Sequence, residues 1–210
     1  MPGPKRIGPP LSDREEEIVD QVLDFIPFFF NMQSVLYIGA NRDQFLLGRN
    51  FEDSRRILKE RTIHFMRYPP RVDVLEIDKE RALEIRSMHG QWLRNVIIGD
   101  VTEFNYVPGL KKRYDMIVWA HGPSVIPIDK VWKTIYNLEL TGAIIVIMVP
   151  WGNYRYPEGV EVNPLDRNIT EFRPIDFLKR GYAVHCIGEK DTRSSNLLAW
   201  KNIGREGGFI

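Results

Sequence analysis

An apolar run that ends abruptly on acidic residues constrains this chain more than any other feature. Val74 and Leu75 are followed by Glu76, Ile77 and Asp78, and the charged stretch that comes next predicts a helix. We therefore expect a buried strand that ends in carboxylates, directly before the beginning of a helix. Carboxylates at the carboxyl end of a parallel strand are the usual means by which open α/β sheets bind ribose hydroxyls. The pattern predicts a binding site for a nucleoside cofactor.

Length and composition favour a single globular domain. The chain has 210 residues, of which 43% are apolar and 27% charged, enough for one hydrophobic core. Its formal net charge is +1, from 29 basic and 28 acidic residues, so no overall field attracts nucleic acid or an anionic membrane. Either partner would need a local patch of charge, and the sequence carries no clear nucleic-acid signature.

The N-terminal residues and the cysteine content predict the domain bounds and the cellular compartment of the protein. Residues 1–11 are rich in proline and glycine, which predicts a flexible tail, and we expect residues 12–210 to form the domain. No secretory signal pattern is visible, and Cys186 is the single cysteine, which excludes an internal disulfide. We therefore expect a cytoplasmic protein. The aromatic run at 25–30 is far shorter than the ~20 residues that cross a bilayer, so no membrane partner is expected.

Strands alternate with helices along most of the chain, and each strand is a short, nearly continuous apolar run. Such runs are typical of parallel strands that are buried on both faces. The predicted strands are 35–38, 72–77, 96–98, 114–120 and 143–149, followed by 183–187 and 197–201, which can form a hairpin. The predicted helices are 12–26, 43–61, 79–88, 128–138 and 175–180.

Five parallel strands with crossover helices, closed by a sixth strand and an antiparallel seventh, resemble the class I, Rossmann-like fold of the S-adenosylmethionine-dependent methyltransferase family. The resemblance covers about Ser34 to Asn202. It implies an α/β protein with a doubly wound, mostly parallel seven-stranded sheet in the order 3-2-1-4-5-7-6. The last strand would be antiparallel, with helices on both faces. The resemblance also implies S-adenosylmethionine as the cofactor.

A glycine turn follows the first predicted strand, as it does in that family. Gly39, Ala40 and Asn41 occupy the place of the family's glycine-rich turn, and the resemblance implies that they bind the cofactor. The motif is degenerate, because Tyr37 replaces the usual acid and Asn41 replaces the second glycine. A glycine that ends any buried strand would give the same pattern, so both interpretations stay open.

The acid at the end of the second strand gives the most specific assignment. Glu76 lies where the family places the carboxylate that accepts both ribose hydroxyls, and Ile77 beside it joins the implied cofactor-binding residues. The alternative for Glu76 is an acid that favours the positive end of the helix. Asp78 directly precedes the helix and suits that capping role better.

The third strand ends in a Gly-Asp pair. In the family, similar pairs bind adenine, which implies that Asp100 accepts from its amino group and that the amide of Val101 meets the ring. The alternative is a turn aspartate that binds its own backbone. A nicotinamide-binding dehydrogenase would explain Glu76 but would require a fuller glycine motif, so NAD is the second candidate among cofactors.

A basic insertion separates the first two strands. Gly39 and Glu76 are 37 positions apart, from residue 39 to residue 76, whereas a minimal strand-helix-strand step needs about 20. The insertion could meet phosphates or acidic substrates, but its acids offset the charge and favour a solvated helix face. Its basic residues are Arg55, Arg56, Lys59, Arg61, Arg67 and Arg71.

The methyl acceptor is expected beyond the fourth and fifth strands. The loops 119–124 and 149–154 would form the pocket wall, where His121 could take a proton from an attacking hydroxyl or amine. Trp151 and Tyr154 could stack on a planar substrate, although packing is the commoner role for such residues. The acceptor stays open: a small molecule or an unidentified polymer, but not a class that requires an Asn/Asp-Pro-Pro-aromatic motif.

Two further expectations complete the sequence interpretation. The histidines show no metal-ligand spacing, so we expect no metal, and Cys186 within a strand predicts an inert core thiol. The alternative to an enzyme is a noncatalytic nucleotide-binding or scaffold domain of the same fold, which the degenerate glycine motif favours.

Overall fold

Seven strands form one sheet in the computed structural model of the chain, which describes residues 32–39, 71–90, 93–120, 122–152, 165, 167–188, 190–191 and 195–204. The strand order is β3-β2-β1-β4-β5-β7-β6, and the first five strands pair in parallel, whereas β7 runs antiparallel to both of its neighbours. This confirms the predicted fold class. The strands are β1 Ser34–Ile38, β2 Arg71–Glu76, β3 Leu93–Ile98, β4 Tyr114–Ala120, β5 Gly142–Pro150, β6 Ala183–Ile187 and β7 Asn196–Asn202.

Helices cover both faces of the sheet. Helix α1, Lys79–His89, packs Ala82 and Ile85 onto one face. Helix α2, Ile128–Glu139, packs its apolar side onto the other face, where helix α3, Pro174–Leu178, adds Phe177. Because both faces are covered, β1 and β4 are buried along their whole length and tolerate an uninterrupted apolar sequence. Among the described residues, every helix is too short or too polar to cross a membrane.

Parts of the sequence interpretation lie outside the described residues. They are the expected tail 1–11, the helices at 12–26 and 43–61, and five of the six basic residues of the insertion. The observed strands and helices otherwise match the predicted ones, with ends that differ by up to three residues. Two 3-10 helices, Val101–Tyr106 and Gly122–Val125, were not predicted.

The prediction of a core thiol at Cys186 is wrong. Its side chain is exposed, because β6 is an edge strand of the sheet and only its last residue, Ile187, is buried. The apolar spacing of 183–187 was typical of a buried strand. An edge position needs less apolar surface than the sequence pattern indicates.

Two buried carboxylates anchor the edge of the sheet where the parallel strands begin. Asp73 is fully buried, and its oxygens accept hydrogen bonds from Arg94 Nε at 2.7 Å, Asn95 Nδ2 at 3.2 Å and the Tyr114 hydroxyl at 2.8 Å. Arg94 also forms an ion pair with Asp73 through its terminal nitrogen. Asp115 Oδ2 accepts from the backbone of residues 33 and 34 and from Ser34 Oγ. These bonds join β1, β2, β3 and β4.

Removal of the Asp73 carboxylate should be costly, because it leaves Arg94 half-buried without its partner. We expect Asp73→Ala to lower the free energy of unfolding by about 3 kcal/mol in urea titrations. The exposed Glu171→Ala should change it by less than about 0.5 kcal/mol and serves as the control. A loss below about 1 kcal/mol for Asp73→Ala would contradict a structural role for this cluster.

Candidate functional site

The carboxyl ends, or tips, of β1, β2 and β3 lie side by side. They are at the edge of the sheet opposite to the one where the parallel strands begin. Pairing brings Ile38 level with Leu75, and Glu76 level with Ile98. Two backbone hydrogen bonds continue this register past the strand ends: Gly39 N donates to Leu75 O at 2.9 Å, and Gly99 N donates to Glu76 O at 3.0 Å. Gly39, Glu76 and the Gly99–Asp100 pair are therefore gathered at one edge.

Gly39 makes the turn out of β1 in a left-handed conformation. Its φ is +70°, in a region that residues other than glycine rarely adopt. A Cβ atom at this position would lie 3.5 Å from Ala120 O, which is an ordinary contact. Glycine is therefore required by the backbone conformation and not by lack of space.

Glu76 is a buried carboxylate at the end of β2, only 3% exposed. Its Oε1 accepts a hydrogen bond from Asp78 N at 3.0 Å. Burial raises the pKa of Glu76, while the amides of Ile77 and Asp78 and the positive charge of Arg81 oppose that rise. The carboxylate thus occupies a site that disfavours its charge, and the described residues around it supply few donors to compensate.

The residues after Glu76 divide into a cap and an apolar surface. Asp78 Oδ1 accepts from the amides of Glu80 and Arg81 at 2.9 and 3.2 Å, which confirms its predicted role as the N-cap of α1. Ile77 is 48% exposed and Ile98, at the tip of β3, is 47% exposed. Two half-exposed isoleucines beside a buried acid give this edge both apolar surface and a hydrogen-bond acceptor.

Asp100 and Val101 follow β3 at the same edge. Asp100 Oδ1 accepts from Thr102 N at 2.8 Å and caps the 3-10 helix that begins at Val101, so the turn role considered as the alternative is present. Both residues are partly exposed. Gly99 serves packing, because a Cβ there would lie 2.7 Å from Val107 Cγ1.

Three of the expected site residues, Ala40, Asn41 and His121, lie outside the described residues. Tyr37 is described and is 1% exposed, with its side chain in the apolar cluster on the α1 face. The position two residues before Gly39 is thus occupied by a core side chain.

Hydrogen bonds that the sequence did not indicate fix the described residues that follow β4 and β5. Ser124 is buried, its hydroxyl bonds to Asn168 Oδ1 at 2.6 Å, and its carbonyl accepts from Ile169 N and Thr170 N. Trp119 is fully buried within β4 and therefore does not line a pocket, contrary to expectation. Trp151 packs against the core, as the commoner interpretation held.

Two residues with left-handed backbone, Gly152 after β5 and Asp191 between β6 and β7, are in contact. Gly152 has φ +91° and Asp191 has φ +66°, and Asp191 Oδ1 occupies the space that a Cβ on residue 152 would take. Asp191 N donates to Trp151 O at 3.0 Å. The sequence alone did not identify Asp191, because its contact with Gly152 is visible only in the structure. Within the described ranges, no group of three or more His, Cys, Asp or Glu side chains could hold a metal ion.

No protein-family model matches the sequence, and no curated protein matches it either. Solved structures match the fold. The N-terminal domain of EvdMO1, in the presence of SAH and D-fucose, is 14% identical, with a TM-score of 0.55 over 91% of this chain and 84% of that one. A Rhodobacter sphaeroides protein described as a Zn-dependent alcohol dehydrogenase is 14% identical, with a TM-score of 0.54 over 94% and 92%.

A third match carries a bound cofactor. Magnesium protoporphyrin IX methyltransferase (ChlM) from Synechocystis PCC 6803, with bound SAM, is 10% identical, with a TM-score of 0.52 over 92% of this chain and 85% of that one. At such identities the likeness concerns the fold. The sheet order and the matches together show that the chain has the Rossmann-like fold of methyltransferases.

The raised pKa of Glu76 predicts a pH dependence of stability in the free protein. Because the folded state holds this proton more tightly, the contribution of the carboxyl is complete below its unfolded pKa, near 4.5, and is lost as pH rises through the folded value. Glu76→Gln should remove this decline in urea titrations between about pH 4 and pH 8. The exposed Glu80→Gln is the control, and equal pH profiles for Glu76→Gln and wild type would contradict the prediction.

Proposed function

We propose that this chain is an S-adenosylmethionine-dependent methyltransferase whose cofactor binds at the tips of β1, β2 and β3. The buried carboxylate of Glu76 is the observation that carries the proposal. A carboxylate has about four acceptor positions, and the amides of Ile77 and Asp78 supply two donors. The two hydroxyls of a ribose would complete the set and compensate the cost of burial.

The neighbouring residues fit the rest of an adenosine. Ile77 and Ile98 offer half-exposed apolar surface suited to the faces of a purine, and Asp100 with Val101 lies next along the edge. Gly39 lets the chain turn closely beneath a ligand, with Ala40 and Asn41 next in sequence. The EvdMO1 and ChlM structures, which carry SAH and SAM in their descriptions, support this choice of cofactor on this fold.

The chemistry assigned to the protein is positional. Bound S-adenosylmethionine supplies an activated methyl group, so the chain has to align an acceptor and exclude water. The described residues that follow β4 and β5, among them Ser124 and Trp151, lie at the edge where an acceptor would enter. The acceptor class is a small molecule or an unidentified polymer.

The Glu76 assignment can be tested by isothermal titration calorimetry with S-adenosylmethionine. Glu76→Gln keeps the shape of the side chain but removes its charge, and we expect the affinity to fall at least tenfold because a charge-assisted hydrogen bond contributes about 1.5 to 3 kcal/mol. The melting temperature of the free variant should equal or exceed that of the wild type. Glu80→Gln, in the first turn of α1, should bind as the wild type does. Unchanged affinity in Glu76→Gln would remove this residue from the site.

A second candidate is a noncatalytic nucleotide-binding or scaffold domain. The burial of Tyr37 in the core favours it, because the charge that the family uses at this position is absent. Thermal melting distinguishes the two candidates, since a ligand at about 100 times its dissociation constant stabilises the fold by ~2.7 kcal/mol. A shift with S-adenosylmethionine supports the enzyme, no shift at millimolar cofactor supports a scaffold, and a shift with NAD alone supports a dehydrogenase-like site.

His121 is the proposed proton acceptor at the end of β4. Its neutral imidazole could take a proton from a hydroxyl or amine of the acceptor. With any acceptor that is found to be methylated, His121→Ala should retain cofactor affinity and reduce kcat by about 10²-fold or more. His121→Gln, which keeps a hydrogen-bond acceptor, is the comparison, and wild-type turnover in His121→Ala would leave this histidine without a role.

A further inference from the structure

A basic surface lies at the edge of the sheet opposite the proposed cofactor site. The parallel strands β1, β2 and β4 begin there, and residues 107–113 lead into β4 at the same edge. We refer to five residues at this edge as the basic edge: Arg71, Arg94, Lys111, Lys112 and Arg113.

Hydrogen bonds link the backbone of Lys111 and the side chain of Arg94 through Tyr114 and Asp73. The Tyr114 hydroxyl accepts from Lys111 N at 3.0 Å and donates to Asp73, which also binds Arg94. Lys111 is thereby held beneath the start of β2. Arg71 opens β2 and Arg94 lies near the beginning of β3, which pairs with β2, so the two arginines lie at the start of neighbouring strands.

The carboxylates at this edge do not neutralise it. Asp73 is fully buried and pairs with Arg94, and Asp115 is buried under hydrogen bonds from residues 33 and 34. Among the charged residues described at the start of β1 to β4, five are positive and two are negative, which leaves an excess of three. Among the residues that the structure describes, Arg71, Lys111, Lys112 and Arg113 take part in no ion pair.

The exposed members are spaced to contact one extended anion. Arg71, Lys112 and Arg113 are exposed, and Lys111 is half-buried. Arg71 opens β2 and Arg113 precedes β4, and these strands are separated by β1, so the two backbones are about 10 Å apart.

We propose that the basic edge binds the phosphate backbone of a nucleic acid, independently of base sequence. The near-neutral chain gives no general attraction for polyanions, so binding would require a local excess of charge, and this surface provides it. Arginine and lysine side chains without carboxylate partners pair with phosphates and release counterions. The inference does not depend on the proposed methyl transfer, because the surface lies away from the proposed cofactor site.

The test is fluorescence anisotropy of the full chain with a labelled DNA duplex and an RNA duplex of the same sequence, which distinguishes the two sources of phosphate. Binding in about 50 mM salt should weaken steeply as salt is raised. The variant Lys112→Glu with Arg113→Glu should bind at least tenfold more weakly, and its slope of log affinity against log salt should be smaller by about 2.

The matched control carries the same change of charge elsewhere. Lys130→Glu with Lys133→Glu alters two exposed lysines of α2 and should change affinity by less than about twofold. Equal melting temperatures of the free variants exclude unfolding as the cause. The proposal is overturned if neither duplex binds at protein concentrations of about 100 μM, or if the control loses as much affinity. It is also overturned if phosphatidylserine vesicles bind through these residues while both duplexes do not.

Discussion

The parallel pairing of β1, β2 and β3 is the constraint on which the candidate site depends. Register alone places the ends of these strands at one edge, and two backbone hydrogen bonds beyond the strand ends hold Gly39 against Leu75 and Gly99 against Glu76. A shift of one residue in β2 would move the Glu76 side chain to the other face of the sheet. The position of the carboxylate is therefore a property of the sheet and not of a flexible loop.

The buried carboxylates at the two edges of the sheet, Asp73 and Glu76, differ in how far hydrogen bonds compensate their burial. Asp73 receives hydrogen bonds from a guanidinium, an amide and a hydroxyl, so its burial is compensated within the fold. Among the residues that the structure describes, the hydrogen-bond donors to Glu76 are backbone amides, and burial raises its pKa. A fully compensated acid stabilises structure, whereas an incompletely compensated one at a strand tip has capacity left for a ligand. This contrast is the physical reason to regard Glu76 as functional and Asp73 as structural.

The sequence predicted the sheet well because its signal is local. Short apolar runs bounded by turns identified all seven strands, and Asp78 before a helical stretch was sufficient to predict its cap. What was missed depends on contacts between distant segments. The exposure of Cys186 follows from the edge position of β6, and the complete burial of Trp119 follows from the central position of β4, neither of which composition can show.

The residues of the candidate site also divide into those that the sequence predicted and those that it did not. The acid, the glycine and the Gly-Asp pair could be found from strand ends, since they follow apolar runs directly. Ile98 as a half-exposed apolar surface and the bonds of Ser124 to residues 168–170 could not, because a side chain's exposure depends on what the fold places over it.

The contact between Gly152 and Asp191 couples two positions that are far apart in the chain. Both residues adopt left-handed backbone, and the carboxylate of one fills the space left by the missing side chain of the other. A larger residue at 152 would have to displace the Asp191 carboxylate, which lies next to the amide that binds the Trp151 carbonyl. A substitution at position 152 therefore acts on the segment between β6 and β7 as well as on the exit of β5.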